Sequence, residues 1–568
     1  MYIDLVPNRG SKPAILLRES VREGKRVRKR TIANLSALTL DQAEAIRSVL
    51  KGERLSPAGG SLECIRSQQH GHVEAVRLAM RRLGFDRLID KKPSRERDLV
   101  VAMVAGRIVA PEASKLGLTR ALADTTLPED LGVADAHEDE LYAAMDWLIE
   151  RQGDIEKGLA KRHLKEGGLI LFDLTSSTFE GTTCPLARIG YSRDGKPGTL
   201  QVNYGLLTDS RGCPVSVSVF EGNTGDPKTL LPQVEKVRDT FGIASLVMVG
   251  DRGMISNVQI EAMRKMEGAG WITALKSGAI AKLASAGQLQ LGLFDERNLV
   301  SFTSEDYPGE RLVACRNPDL AKLRAAKRKD LIAATARELG KVAVMAASGR
   351  LTGRGKIGVR VGKVIGKYKV GKLFDLDIQD AAFAFSVNEA RVAAEAALDG
   401  LYVIRTSATE ADMSAEAAVL NYKRLAEVER AFRTLKGVDL QVRPIRHRLE
   451  ARVKAHILLS MLAYYVQWHM AEAWKPLLFA DELPADAARD PVAPARRSKA
   501  ALAKVHSRRL ADGTPALSFG GLLAHLATIV RNTMRRTDAT PGEGTFILTT
   551  RPSPKQQQAL DLVAAIAV

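Results

Sequence analysis

Cysteine is scarce in this chain: Cys64, Cys184, Cys213 and Cys315 stand far apart and form no Cys-x-x-Cys pair. That argues against a zinc ribbon and against a disulfide framework, and it points to a reducing compartment. No apolar run approaches the roughly 20 residues needed to cross a bilayer, so no membrane partner is expected. No N-terminal signal pattern is evident, and the expected location is the cytoplasm. Acidic residues are in deficit as well. Lys and Arg number 84 against 66 Asp and Glu, a formal charge of +18 with a pI near 9.7, which makes a polyanion the expected partner. At 568 residues the chain exceeds what one hydrophobic core supports, so several domains are expected.

The most informative stretch is Asn421 to Lys436, NYKRLAEVERAFRTLK. It reads as one amphipathic helix, because Leu425, Val428, Phe432 and Leu435 recur at steps of three and four. Tyr422, Glu429 and Lys436 are seven residues apart and fall nearly on one line at the edge of that stripe. Taken alone, Glu429 reads better as an ordinary i,i+4 partner of Arg433 on the helix surface.

Upstream, residues 1–60 read as a basic, β-like N-terminal arm whose run from Arg22 to Arg30 includes Lys25, Arg26, Arg28, Lys29 and Arg30. In a chain of this charge the run suits a phosphate-gripping arm. Residues 61–160 read as a helical module, for reading DNA or for packing. His70 and His72 have no second ligand pair at metal spacing.

From Leu169 the pattern turns to strands, and residues 161–280 read as the first part of an α/β core. LILFD is expected to end a strand at Asp173, SLVMVG a second one at Asp251, and Asp226 before Pro227 to cap a helix. The order is three strands, helix, strand, helix, strand. The carboxyl ends of parallel strands in such a sheet open onto one crevice. Any one Asp there reads as a turn former; two of them with Glu429 make a set.

Residues 281–408 read as a part-β insertion domain, and 409–475 as the second part of the core, with the Glu-bearing helix. The Gly/Lys-rich stretch after Gly349 is not a phosphate loop, since Ile357 follows Lys356 and Val364 follows Lys363; basic hairpins or DNA contacts are expected. A second long helix is expected to carry Arg446, His447, Arg448, Arg452 and Lys454 in its first turns, suited to a phosphate backbone. Residues 476–568 read as a linker followed by a helical segment, SFGGLLAHLATIVRNTM.

Three carboxylates converging in a basic protein suit hard cations, Mg²⁺ or Mn²⁺. Two such ions about 3.5–4 Å apart activate a water and stabilise the leaving oxygen of a phosphodiester. Asp173 is then the bridging ligand, with Asp251 and Glu429 completing one site each, and Arg433, Lys436 and Tyr422 are placed to contact phosphate or sugar.

These residues resemble the DDE triad of bacterial insertion-sequence transposases with an RNase H-like mixed-sheet core. The helix is similar to the Tyr-x2-Arg-x3-Glu-x6-Lys signature of the insertion-sequence-four type: Tyr422, Glu429 and Lys436 match it, while Leu425 stands where that signature has Arg and Arg424 is one place away. VFEGNTGD (Val219 to Asp226), VGDRGM (Val249 to Met254) and VERAFRTLKG resemble the long members that carry a β-rich insertion before the glutamate. The resemblance implies cut-and-paste transposition in the nucleoid. The protein would bind double-stranded DNA at the terminal inverted repeats of its element, pair the ends as a homodimer in a synaptic complex, nick them, and join the 3′ hydroxyls to target DNA. A hairpin intermediate would call for an aromatic residue to hold a flipped base; Trp271 is weighed for this against a plain core position. The alternatives are a nuclease of the same fold without strand transfer, and a transposase-derived DNA-binding protein that no longer cuts.

Overall fold

The computed structural model describes residues 1–24, 26–52, 62–111, 114–290, 298–437, 439–482, 491–493, 497–537 and 544–567, apart from the side chains of Ser11, Glu23 and Arg26. Of the basic arm, Lys25 and the Arg26 side chain therefore lie outside the described residues. The chain forms two compact units, one of Met1–Gln68 with Ile529–Arg551, the other of Gln69–Thr528 with Pro552–Val568.

In the smaller unit the strands Tyr2–Asn8, Ser11–Glu23 and Arg26–Asn34 form an antiparallel meander. The helix Leu40–Leu50, capped by Thr39, lays Ala43 against Ile3 and Ile15. A second sheet pairs Leu62–Gln69, Val530–Arg536 and Thr545–Thr549. Two expectations are corrected here. The presumed helical module begins with a strand, and the C-terminal helix stops at Ala527, after which Val530–Arg536 is a strand.

The larger unit is built on a nine-stranded sheet: β1 Gly168–Thr178, β2 Arg188–Ile189, β3 Leu200–Asp209, β4 Pro214–Glu221, β5 Leu246–Val249, β6 Ala269–Ala274, β7 Leu299–Phe302, β8 Arg311–Arg316 and β9 Leu401–Thr406. β3 pairs antiparallel with β1 and β4, β5 runs parallel to β1, and β6 runs parallel to β5. The resulting order β4-β3-β1-β5-β6, three antiparallel strands followed by two parallel ones, is the RNase H-like arrangement. β9, β8 and β7 then extend the sheet, all antiparallel, from the free edge of β6. The sequence between β8 and β9 adds a layer with its own core, in which Leu339, Val342, Ile357, Val361, Phe374 and Phe383 are buried together.

The Gly/Lys stretch is helix, not hairpin, over Arg354–Tyr368. Ile357, Val361, Val364 and Ile365 recur at helical steps and pack on the helix Pro318–Ala347, so burial overrides the weak helix propensity of its glycines.

The long helix Glu450–Ala473 is buried around most of its circumference, between β4 and the helices Arg95–Val109 and Glu138–Ile149. It begins later than expected, so Arg446, His447 and Arg448 lie in the preceding loop. Arg107 donates from Nη1 to Leu440 O at 2.9 Å and His456 Nε2 lies 3.0 Å from Val442 O, which ties that loop to the body. The helices Phe519–Ala527 and Pro554–Ala564 pack on Gly71–Arg82. Among the described residues no helix is long and apolar enough to cross a membrane.

Candidate active site

Asp173 is not at the end of its strand, as expected, but in the middle of β1, opposite Leu206 of β3. Its other neighbour, β5, stops short: the parallel pairing ends at Leu171 with Val249, two residues before Asp173 and two before Asp251. The sheet is therefore one strand narrower at this level, and both aspartates stand where β1 outruns β5.

The third carboxylate arrives on the helix Leu425–Lys436, which packs on β1 through Val428, Ala431, Phe432 and Leu435 and leaves Glu429 exposed. The expected single helix from Asn421 is in fact two, Ala415–Lys423 and Leu425–Lys436, hinged at Arg424. Tyr422 nevertheless reaches the site and donates from Oη to Asp251 Oδ1 at 3.3 Å. Burial pushes the Tyr422 phenol up, and the Asp251 charge adds to this.

Asp173 carries the electrostatic signature of the cluster. Burial chiefly lifts its carboxyl to about 7, against the Leu174 backbone N–H that donates to Oδ1 at 2.8 Å, and the negative charges of Asp251 and Glu429 raise it further. The Arg193 charge opposes the rise.

Arg193 and its neighbour Asp194 carry little signal in the sequence beyond the turn-like Asp-Gly and Pro-Gly of YSRDGKPG. Arg193 pairs with Asp226, so the expected helix-capping role of the Asp226 side chain gives way to holding a guanidinium beside the carboxylates. Asp194 Oδ1 accepts from Lys436 Nζ at 2.9 Å and Arg443 Nη1 at 2.8 Å, with the Asp194 and Lys436 side chains nearly buried. Lys436, expected to face phosphate, thus fastens the Arg193 loop to the Glu429 helix. Burial holds its ammonium below the ordinary lysine range.

Arg433 and Arg448 are exposed. Arg424 donates to Ser210 O at 3.2 Å on the β3–β4 turn, and Arg446 pairs with Glu180 at 2.9 Å. In the smaller unit Arg28, Lys29 and Arg30 project from the third strand of the meander, Lys29 at 3.6 Å from Asp4 and Arg30 at 3.6 Å from Glu19. Trp271 is a core residue whose Nε1 donates to Glu310 at 3.2 Å. A cleft of about 270 Å³ opens beside Asp251 and Tyr422, with Arg252 and Arg324 in its wall. Arg324 comes from the added layer, a contribution that nothing in its local sequence marks.

Two family models match the sequence. One is described as a transposase DDE domain and matches residues 165–466. The other, IS1634 family transposase, N-terminal domain, matches residues 5–59. Among solved structures, the cryo-EM structure of the piggyBac transposase synaptic complex with hairpin DNA is similar at 8% identity, with 80% of this chain and 76% of that chain covered and a TM-score of 0.35. No curated protein matches the chain.

Proposed function

The chain belongs to the family of transposase DDE domains, and from that premise we propose that it binds the terminal inverted repeats of its own insertion sequence and cuts and rejoins DNA at Asp173, Asp251 and Glu429. Transposases of this family use divalent cations, and the donor set fits them: three carboxylates offer only hard oxygen ligands, and Asp173 sits among like charges that a cation would relieve. When bound, Mg²⁺ or Mn²⁺ at two positions would supply the Lewis acidity for an in-line phosphodiester displacement.

The side chains do the rest. Tyr422 fixes the rotamer of Asp251 through its hydrogen bond. Lys436 and Asp194 hold the Arg193 loop beside Asp173, and the exposed Arg433, Arg252 and Arg324 are available to grip phosphates on either side of the scissile bond. First a water oxygen attacks phosphorus and the 3′ oxygen leaves with a proton. The freed 3′ hydroxyl then attacks a phosphodiester of target DNA, displacing another 3′ oxygen, so no external energy source is required. Two copies of the chain would bring the two ends together.

The observation that carries this reading is the meeting of Asp173, Asp251 and Glu429 around one charge-stressed carboxyl. The test is a cleavage assay with Mg²⁺ and supercoiled DNA carrying the sequences that flank the reading frame, run beside Glu429→Gln. Breaks at a pair of inverted repeats, absent in the variant, are the expected result. Scattered breaks would identify a nuclease, and tight binding without breaks a DNA-binding protein that no longer cuts.

A further inference from the structure

Near the start of β1, three side chains that the chemistry above does not use come together from separate elements. His163 ends the helix Gln152–His163, Cys213 lies in the turn before β4, and His469 is on the long helix Glu450–Ala473. One potential ligand atom from each lies within 4.8 Å of the others, the one such trio among the described residues. Cys213 Sγ is 3.8 Å from His469 Nε2. A tetrahedral zinc ion, with bonds of about 2.3 Å to sulfur and about 2.05 Å to nitrogen, sets those two ligands about 3.6 Å apart.

The chemical state of the trio also suits a metal. Burial holds the imidazoles of His163 and His469 down, to about 4 and about 3, so both are neutral. Burial keeps the Cys213 thiol protonated. A thiolate–imidazolium pair is therefore disfavoured, and the three polar groups stand as uncharged ligands in a buried place. Tyr465 Oη lies 3.1 Å from His163 Nε2, and Arg211 Nη2 lies 3.4 Å from Nδ1. The Arg211 charge is taken up by Asp209 at 2.8 Å. The cluster borders a cavity of about 820 Å³ whose wall carries Arg162 and Arg211 against Asp209 and Glu472. Glu472, three residues after His469 on the same helix, lines the same cavity.

We propose that His163, Cys213 and His469 form a structural Zn²⁺ site that clips the helix Gln152–His163, the β3–β4 turn and the long helix together. It is separate from the all-oxygen carboxylate site and independent of the strand-cleavage reading. Binding forms a metal–sulfur bond and releases the thiol proton to solvent, so affinity rises with pH. The site would anchor the turn whose other flank supports the Glu429 helix.

The test is cobalt substitution of the full-length chain carrying Asp173→Asn and Glu429→Gln, which removes cation binding at the carboxylates. One equivalent of Co²⁺ should give a thiolate-to-cobalt charge-transfer band and the strong visible bands of a four-coordinate ion, and one equivalent of Zn²⁺ should bleach both. Adding Cys213→Ser should abolish the charge-transfer band and adding His469→Gln should weaken Co²⁺ binding at least tenfold, whereas Cys64→Ser should change neither. Absence of the band before Cys213 is altered overturns the proposal whatever the variants do, and so does a band that survives Cys213→Ser.

Discussion

Asp173 titrates in the wrong place for a simple carboxylate, and that has a sign. Its folded-state value of about 7 stands above the ordinary value of 3.8, so between those limits the folded chain binds a proton that the unfolded chain has lost. In the absence of divalent cations, the contribution of this group is thus most favourable below pH 4 and is lost as pH rises toward 7, with a slope of at most about 1.4 kcal/mol per pH unit. Asp173→Asn should remove that slope: cation-free urea unfolding should show the variant gaining on the unsubstituted chain from pH 4 to 7 and melting higher at pH 8. Mg²⁺ should then stabilise the unsubstituted chain and not the variant. Parallel pH–stability curves would show that Asp173 is an ordinary surface carboxylate. The same proton must leave before a cation binds, so apparent cation affinity below pH 7 should climb by up to tenfold per unit.

At the scale of elements, the position of Glu429 depends on how closely its helix approaches the β3–β4 turn. Gly212 in that turn has φ of +85°, and a Cβ there would lie 2.7 Å from Glu427 Cβ, two residues before Glu429. Glu427 Cβ is fixed to the helix backbone, so the clash is relieved by moving the helix. Gly212→Ala should cost about 1–3 kcal/mol in stability and lower the cleavage rate by more than the loss of folded protein explains. Gly132→Ala is the control: φ is +66° but nothing lies within 4 Å of the added carbon, so it should carry backbone strain alone and leave cleavage intact. Equal cleavage rates in the two variants would remove the turn from any part in setting Glu429.

The same elements show what the sequence made legible. The strands and the Glu-bearing helix were readable because their patterns are local: alternation in LQVNYGLL, and a stripe from Leu425 to Leu435. The expectation that Asp173, Asp251 and Glu429 form one set came from chain order in an open sheet, and in the structure the Asp251 and Glu429 charges act on Asp173, although Asp173 lies mid-strand. The helix Arg354–Tyr368 was missed because Gly and Lys outweigh its apolar stripe until the neighbouring helix is present to bury it. Asp194 with Lys436 and Cys213 with His469 were invisible for a plainer reason. The partners are 242 and 256 residues apart, and no local rule couples them.

For the molecule as a whole, a charge of +18 sets the expected response to salt. Each phosphate neutralised by Lys or Arg steepens the fall of log K with log salt by about 0.9 for B-form DNA. In the smaller unit, Arg28, Lys29 and Arg30 are consecutive exposed residues of one strand and alternate between its faces, and the ion pairs of Lys29 to Asp4 and of Arg30 to Glu19 are long at 3.6 Å. Exposed pairs of that length contribute little, so phosphate competes with them readily. Replacing all three residues by Ala should make the slope shallower by up to about 2.7, weaken binding to end-bearing and unrelated DNA alike, and leave the cation dependence of cleavage unchanged. Glu429→Gln should do the reverse, abolishing cleavage while keeping the slope. Filter binding across a salt series separates the two effects. A triple variant with an unaltered slope would take the N-terminal strand out of the DNA interface and leave phosphate binding to the arginines around the carboxylates.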